Sequence, residues 1–251
     1  MDIQFTNTPQ MYGPFHLGTL AVIALGCVAA WLILRTRSER TLIRVIGAMG
    51  LTMLLMELWK QGFSFIYVFD RQINLWYFPW QLCSMAMYCA FTVPFFKGRR
   101  QNALLVFLST FSLFAAVIAL IVPSDMLRPY VLLTVHGFLY HGMMIVLALA
   151  AMLVLRRRED VKFAPAVRLF LWMAAVAEVI NVVSHQLLHD IHREPNMFYI
   201  TPYYESTQVV LHEIALALGI PAEIVIYLTA IALISFGLFV LERKLLRKPK
   251  Q

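Results

Sequence analysis

Charge is what this 251-residue sequence has least of: Asp, Glu, Lys and Arg make up 14% of the chain, about half the share of a typical soluble protein. Hydrophobic residues make up 61%. No soluble core absorbs that many apolar side chains, and a soluble surface would need more charge, so a soluble enzyme and a disordered chain are both excluded. Cysteine is also scarce. Cys27, Cys83 and Cys89 all lie in apolar segments, and an odd number of thiols there offers no disulfide framework. Internal repeats and low-complexity tracts are absent. Met1 to Pro14 holds no Lys or Arg, so it does not read as a cleavable signal, and the first apolar run reads as a retained anchor.

The sequence does have several apolar stretches of about 20 residues, the length that crosses a ~30 Å hydrocarbon layer as a helix. They predict an all-α, polytopic membrane protein: one bundle of seven transmembrane helices over 15–34, 42–62, 74–96, 102–122, 129–154, 164–187 and 218–241, with a long outer loop over 188–217. Continuous apolar runs without strict alternation mean helices rather than a barrel. The basic residues agree with seven crossings. Arg35, Arg37, Arg40, Arg44, Lys97, Arg99, Arg100, Arg156, Arg157, Arg158, Lys162, Arg168 and the tail from Arg243 to Lys250 put 17 of the 21 on one side. Only Lys60, Arg71, Arg128 and Arg193 fall on the other. The positive-inside rule then sets the N-terminus out and the C-terminus in, in a cell membrane, the cytoplasmic membrane for a bacterial protein. The net charge of +7 therefore reads as orientation signals between spans and not as a nucleic-acid surface. Trp76, Tyr77, Phe78 and Trp80 read as an interfacial aromatic belt. The loop over 188–217, with Tyr199, Tyr203 and Tyr204 near Pro202, reads as a lid or re-entrant element.

Ionisable and polar groups at membrane depth are costly and face a bundle interior. Here they are Glu57 and Lys60, Gln81 and Cys83, His136, Tyr140 and His141, and Glu178, Asn181 and His185. The topology places all of them in the outer half or near the middle, and leaves the inner halves almost purely apolar. One outward-opening polar cavity follows. Glu178, Asn181 and His185 share a helical stripe, and Glu57 and Lys60 can pair within one turn. The competing reading is structural: a salt bridge and interhelical hydrogen bonds.

Cys27 and Cys89 read as inert packing residues. Cys83 differs because Gln81 and Ser84 flank it inside the polar half, and a thiol turns nucleophilic once a base or positive charge favours the thiolate. His136 and His141 are both candidate bases, but five residues of separation turn them ~140° apart on a helix. A rival site is metal: His185, His189 and His192, with Asp190 between them, have helical ligand spacing. That would make a metal-dependent membrane lipid hydrolase. A third reading is a non-enzymatic transporter or sensor for an ion or small molecule, against which stands the lack of polar groups in the inner half.

Several motifs resemble the YwaF-like integral membrane proteins of bacteria: Phe78-Pro-Trp-Gln-Leu-Cys-Ser84 followed by Met87-Tyr88, Glu57-Leu-Trp-Lys-Gln61, Tyr140-His-Gly-Met-Met-Ile145, and Asn196-Met-Phe-Tyr-Ile-Thr-Pro-Tyr-Tyr204 with Thr207-Gln208. That family is distantly similar to a mammalian transmembrane acyltransferase that remodels ether phospholipids, and more remotely to androgen-induced hydrolases of branched fatty acid esters. The resemblance implies Cys83 and His141 as a catalytic Cys–His pair acting on a membrane-lipid acyl ester, with transferase or hydrolase outcome set by the acceptor. Two departures stand out. Gln81 takes a position where many members carry His, and Asn196-Met197-Phe198 replaces an Asn-Tyr-Met element. Supporting roles fall to Glu57, Lys60, Gln81, His136, Tyr140, Glu178, Asn181 and Asn196 as binding or orienting groups. The expected partner is membrane lipid, and this chemistry calls for no metal or cofactor.

Overall fold

The computed structural model describes residues 3–188, 195–206 and 208–246. Among them every regular element is helical, and the one β contact is an isolated bridge from Gln4 to Tyr130. Six helices are long and apolar enough to cross a membrane. They are α1 (Pro14–Leu34), α2 (Glu39–Phe63, extended by a π turn over Ser64–Val68), α4–α5 (Gly98–Phe107 and Leu113–Ile121, joined by a π turn over Leu108–Ser112), α6 (Val131–Leu155), α7 (Ala164–Leu188) and α9 (Ile220–Leu246). Their ends follow local chemistry. Pro14 opens α1, where a missing N–H costs nothing. The Ser38 hydroxyl caps α2 by accepting from Thr41 N at 3.2 Å.

The third expected span is corrected. Of 74–96, only α3 (Met85–Thr92) and a 3-10 turn to Phe95 form a helix reaching the far end. Those 11 residues rise about 16 Å, half of a ~30 Å hydrocarbon layer. Residues 74–84 instead make a 3-10 turn at Leu75–Tyr77 and a looped approach to α3. Pro79 supplies no N–H, and the polar groups here bond to distant parts of the chain, so a continuous helix would forfeit those bonds. α3 packs against α2 at backbone distance. A Cβ on Gly50 would lie 2.2 Å from Phe91 N, and one on Gly47 would lie 2.4 Å from the Pro94 ring. Small residues at this seam let the two backbones meet.

A second correction concerns the outer loop: α8 (Val209–Leu218) is a further helix within it, separated from α9 by Gly219. That glycine takes φ +84, a conformation only glycine adopts freely, so the chain turns sharply between α8 and α9.

The ends of the bundle separate as the basic residues require. At the basic end, Arg158 binds Glu39 Oε1 at 2.6 Å, Gln101 Oε1 at 2.7 Å and Asn102, stapling the starts of α2 and α4 to the end of α6. Arg157 reaches Arg37 O, and Arg243 of α9 donates to Leu155 O and Arg158 O. At the opposite end, the N-terminal segment bonds Pro129 O through Phe5 N, and Tyr130 donates to Tyr67 O. The short α3 therefore still connects the two ends, which preserves the alternation of the basic segments. Between them the core stacks Phe107, Phe111 and Phe170, with Phe111 and Phe170 centroids 4.8 Å apart. α1 contributes little to it and lies at the periphery.

Candidate functional site

The last turns of α2 carry Glu57, Lys60 and Gln61, an i, i+3, i+4 set that shares one face. Lys60 Nζ sits 2.8 Å from Glu57 Oε1, and Gln61 Nε2 donates to the same oxygen at 2.6 Å and to Tyr77 O. Glu57 is buried, so both donors offset the removal of its carboxylate from water. The Tyr77 ring lies 5.9 Å from Lys60 and 4.7 Å from the Arg128 guanidinium.

Across from this face, α6 presents His136, Tyr140 and His141. His136 stacks between Trp59 and Tyr140, 5.7 Å from each ring centroid. Its Nε2 meets Met56 O at 3.2 Å, and His141 Nδ1 meets Gly137 O at 2.7 Å. A carbonyl only accepts, so these two ring nitrogens carry hydrogens. The basic nitrogens are His136 Nδ1 and His141 Nε2. The Tyr140 hydroxyl is buried and has no partner.

Cys83 stands in the looped approach to α3, in Coulombic range of Lys60, Asp125, Tyr140, Tyr199 and Tyr227. Lys60 is likewise in range of His136 and His141. The thiol makes no hydrogen bond to either imidazole, whose bonded nitrogens are taken by backbone carbonyls. Residues from α2, the α5–α6 connection, α6, the segment after α7 and α9 thus interact electrostatically with this thiol.

Gln81, Asn181 and Asn196 do something different: they clamp a hairpin over 196–201. Gln81 donates to Asn196 O and accepts from Phe198 N, both at 2.9 Å. Asn181 donates to Met197 O at 3.1 Å and accepts from Met197 N at 2.7 Å. Asn196 Oδ1 accepts from Thr201 N at 3.0 Å. These bonds hold Phe198 and Tyr199 at φ 58 and 57, a left-handed pair of aromatic residues costing of order 1 kcal/mol or more each. Met197 and Phe198 are fully buried, so this part of the loop packs into the bundle. The Tyr199 hydroxyl donates to Asp125 Oδ2 at 3.1 Å, and burial together with that carboxylate pushes its phenol well above the ordinary range, so it stays a donor. Truncating Gln81 to alanine strands two buried backbone groups. It is expected to cost about 2–4 kcal/mol, read as a lower melting temperature and faster proteolysis within 196–206.

Glu178 lies beside Asn181, with Oε2 buried and unpartnered, and the His185 ring stacks on Tyr203 at 3.6 Å. Next to the hairpin, Phe78, Val179, Ile180, Val183 and Pro195 line an apolar cleft of about 290 Å³ that opens between α7 and the approach to α3. No group of three or more His, Cys, Asp or Glu residues able to hold a metal occurs among the described residues. Of the proposed metal set only His185 is among them; His189, Asp190 and His192 lie outside.

Further placements add to or depart from the sequence reading. His16, at the outer end of α1, is structural: it accepts from Tyr12 N and bonds Leu120 O at 2.9 Å. Trp80 is packed inward, its indole donating to Met173 O at 3.2 Å, and so leaves the expected interfacial belt. The basic-end half is not purely apolar, since Ser109, Ser112, Ser235 and Glu242 are buried there. Sequence reasoning missed Gln61, Asp125 and Tyr227. Gln61 was within reach as the i+4 partner of Glu57, whereas nothing local marks Asp125 or Tyr227 as neighbours of Cys83.

A multi-pass bundle of long apolar helices defines an integral membrane protein. Residues 11–241 match the TMEM164 family, and the chain belongs to that family. No curated protein and no solved structure is significantly similar to it.

Proposed function

We propose that the protein transfers or hydrolyses an acyl group of a membrane lipid, with Cys83 as nucleophile and His141 as base, and that its basic end faces the cytosol. The observation that carries this reading is the electrostatic interaction of Cys83 with Lys60, Tyr140 and Tyr199, together with His141, the neighbour of Tyr140 in α6, whose Nε2 is left off the backbone. The likeness to an ether-phospholipid acyltransferase, drawn from the Cys83 and His141 motifs, supplies the substrate class.

In this mechanism His141 Nε2 takes the thiol proton as Sγ bonds to the ester carbonyl. The tetrahedral intermediate collapses by breaking the ester C–O bond, and the imidazolium returns the proton to the departing alcohol. A lysolipid or water then attacks the thioester and regenerates the thiol. Burial disfavours the Cys83 thiolate, and the Lys60 charge offsets part of that cost. Gln81 and Asn181 are held in place by the 196–201 segment, and the unpartnered Tyr140 hydroxyl is the donor assigned to the oxyanion. Glu57 orients Lys60. The apolar lining of the cleft beside Phe78 and Val183 suits an acyl chain.

Incubation of the purified protein with phospholipid, followed by peptide mass spectrometry, is expected to find an acyl adduct on Cys83 that hydroxylamine removes. An adduct absent after trapping at short times, with acyl transfer still measurable, refutes the thioester route.

A further inference from the structure

Four side chains in this molecule are polar, deeply buried and unexplained by the acyl chemistry, and they follow one seam. Along α9 the buried positions include Glu223, Ile231, Ser235 and Glu242, and Tyr227 is packed against the core on the same face. The set is spaced i, i+4, i+8, i+12 and i+19, which keeps it within about a third of the helix circumference. From Glu223 to Glu242 the helix rises about 28 Å, close to the ~30 Å hydrocarbon thickness. The stripe therefore runs from one face of the membrane to the other.

Several atoms along it lack partners, although the Glu242 carboxyl also bonds the Ser109 hydroxyl and that of Glu223 the Ser206 backbone. Among the described residues, nine buried side-chain atoms make no hydrogen bond, and four of them are Glu223 Oε1, Ser235 Oγ, Glu242 Oε2 and Ser112 Oγ. Ser112 belongs to the π turn of α4–α5, on which α9 packs. Such turns loosen a helix and recur at functional positions. Glu223 is 1% exposed and Glu242 5%, yet neither makes a salt bridge among the described residues. Around Glu242 stand the Ser109 hydroxyl and Arg243, whose guanidinium is engaged with the carbonyls that end α6. Around Glu223 stand the Ser206 backbone, Glu205 and His212, the last two forming a half-exposed pair at 3.5 Å. Buried polar groups without partners, aligned in a seam, mark places where water enters. Intramembrane carboxyls that face the bundle interior mark ion or proton routes.

We propose that the buried face of α9 is a transmembrane proton path, with Glu242 as its cytosol-side carrier, Glu223 as its outer carrier, and the hydroxyls of Ser235 and Tyr227 between them. A proton from water at the basic end binds the Glu242 carboxylate. It passes through water held by Ser109, Ser112 and Ser235, each step breaking one O–H bond and forming the next. Ile231 is the dry turn of the stripe, so water must bridge it before the proton reaches Tyr227. Glu223 then releases the proton to water beside His212. The path does not depend on any acyl chemistry at Cys83.

The test is proton flux into vesicles carrying the purified full chain, driven by a potassium diffusion potential and read with an internal pH dye. Wild-type protein is expected to pass protons faster than protein-free vesicles. Glu242→Gln is expected to cut that flux at least tenfold, and Ser235→Ala severalfold. Should Glu242→Gln fail to reconstitute, Ser235→Ala and Glu223→Gln decide the matter. Wild-type flux equal to that of protein-free vesicles overturns the proposal. Flux unchanged in Glu242→Gln, or in both substitute variants, overturns it as well.

Discussion

Acyl transfer by the purified protein is expected to fall about a thousandfold or more when Cys83 becomes serine, because a residue that forms the covalent intermediate takes nearly all of its pathway with it. A serine hydroxyl at this position keeps the shape but is a far weaker nucleophile at neutral pH. His141→Ala is expected to cost about 10²- to 10⁴-fold, the range of general base catalysis. Cys27→Ser and Cys89→Ser serve as controls. Cys89 is packed in the core and Cys27 lies on the peripheral α1, so neither change should alter the rate. His136→Ala separates the two imidazoles: its stacking between Trp59 and Tyr140 assigns it a positioning role, with loss well below that of His141→Ala. Equal rates for wild type and Cys83→Ser, measured with labelled phospholipid in reconstituted vesicles, would remove the nucleophile from the mechanism.

The second large effect concerns assembly of the bundle. Gly50→Val is expected to prevent α3 from docking. Even alanine would bring its Cβ to 2.2 Å from Phe91 N and 2.7 Å from Phe91 Cα, backbone atoms that cannot swing aside. Overpacking of a tight seam costs about 1–3 kcal/mol and sometimes more, and the rigidity of both neighbours puts Gly50→Ala at the upper end. Gly26→Ala on α1 is the matched control, since nothing lies within 4 Å of its added carbon. Melting temperature in detergent and the monodisperse fraction on gel filtration read both variants. Equal melting temperatures for the two would mean that α2 and α3 do not approach this closely.

Much of the fold follows from composition alone. Six spans appear where long apolar runs predict them, and the alternation of basic segments fixes which ends lie together. The third span was misjudged because hydropathy counts apolar residues without seeing where backbone groups find partners. Gln81 bonds a carbonyl 115 residues away, and no local pattern announces that. α8 was hidden for the opposite reason, since His212 and Glu213 interrupt an otherwise apolar run and make a helix look like a loop. In the site, the Glu57–Lys60 pair was legible because its spacing is local. Gln81, Asn181 and Asn196 were legible as polar but not as a clamp, since their partners are main-chain atoms. Glu223 and Glu242 escaped notice because they fall near the two ends of an apolar run, where charge is ordinary, and only burial sets them apart.

The approach to α3 sets an order on biosynthesis. A half-length helix preceded by polar side chains is a poor passenger for the insertion machinery, and it gains a partner through α2, made just before it. Its remaining bonds come from Asn196 and Phe198, which leave the ribosome more than a hundred residues later. The growing chain must therefore hold this stretch with water or protein for company until its last third is made, and a chain truncated before the hairpin would expose it to quality-control proteases.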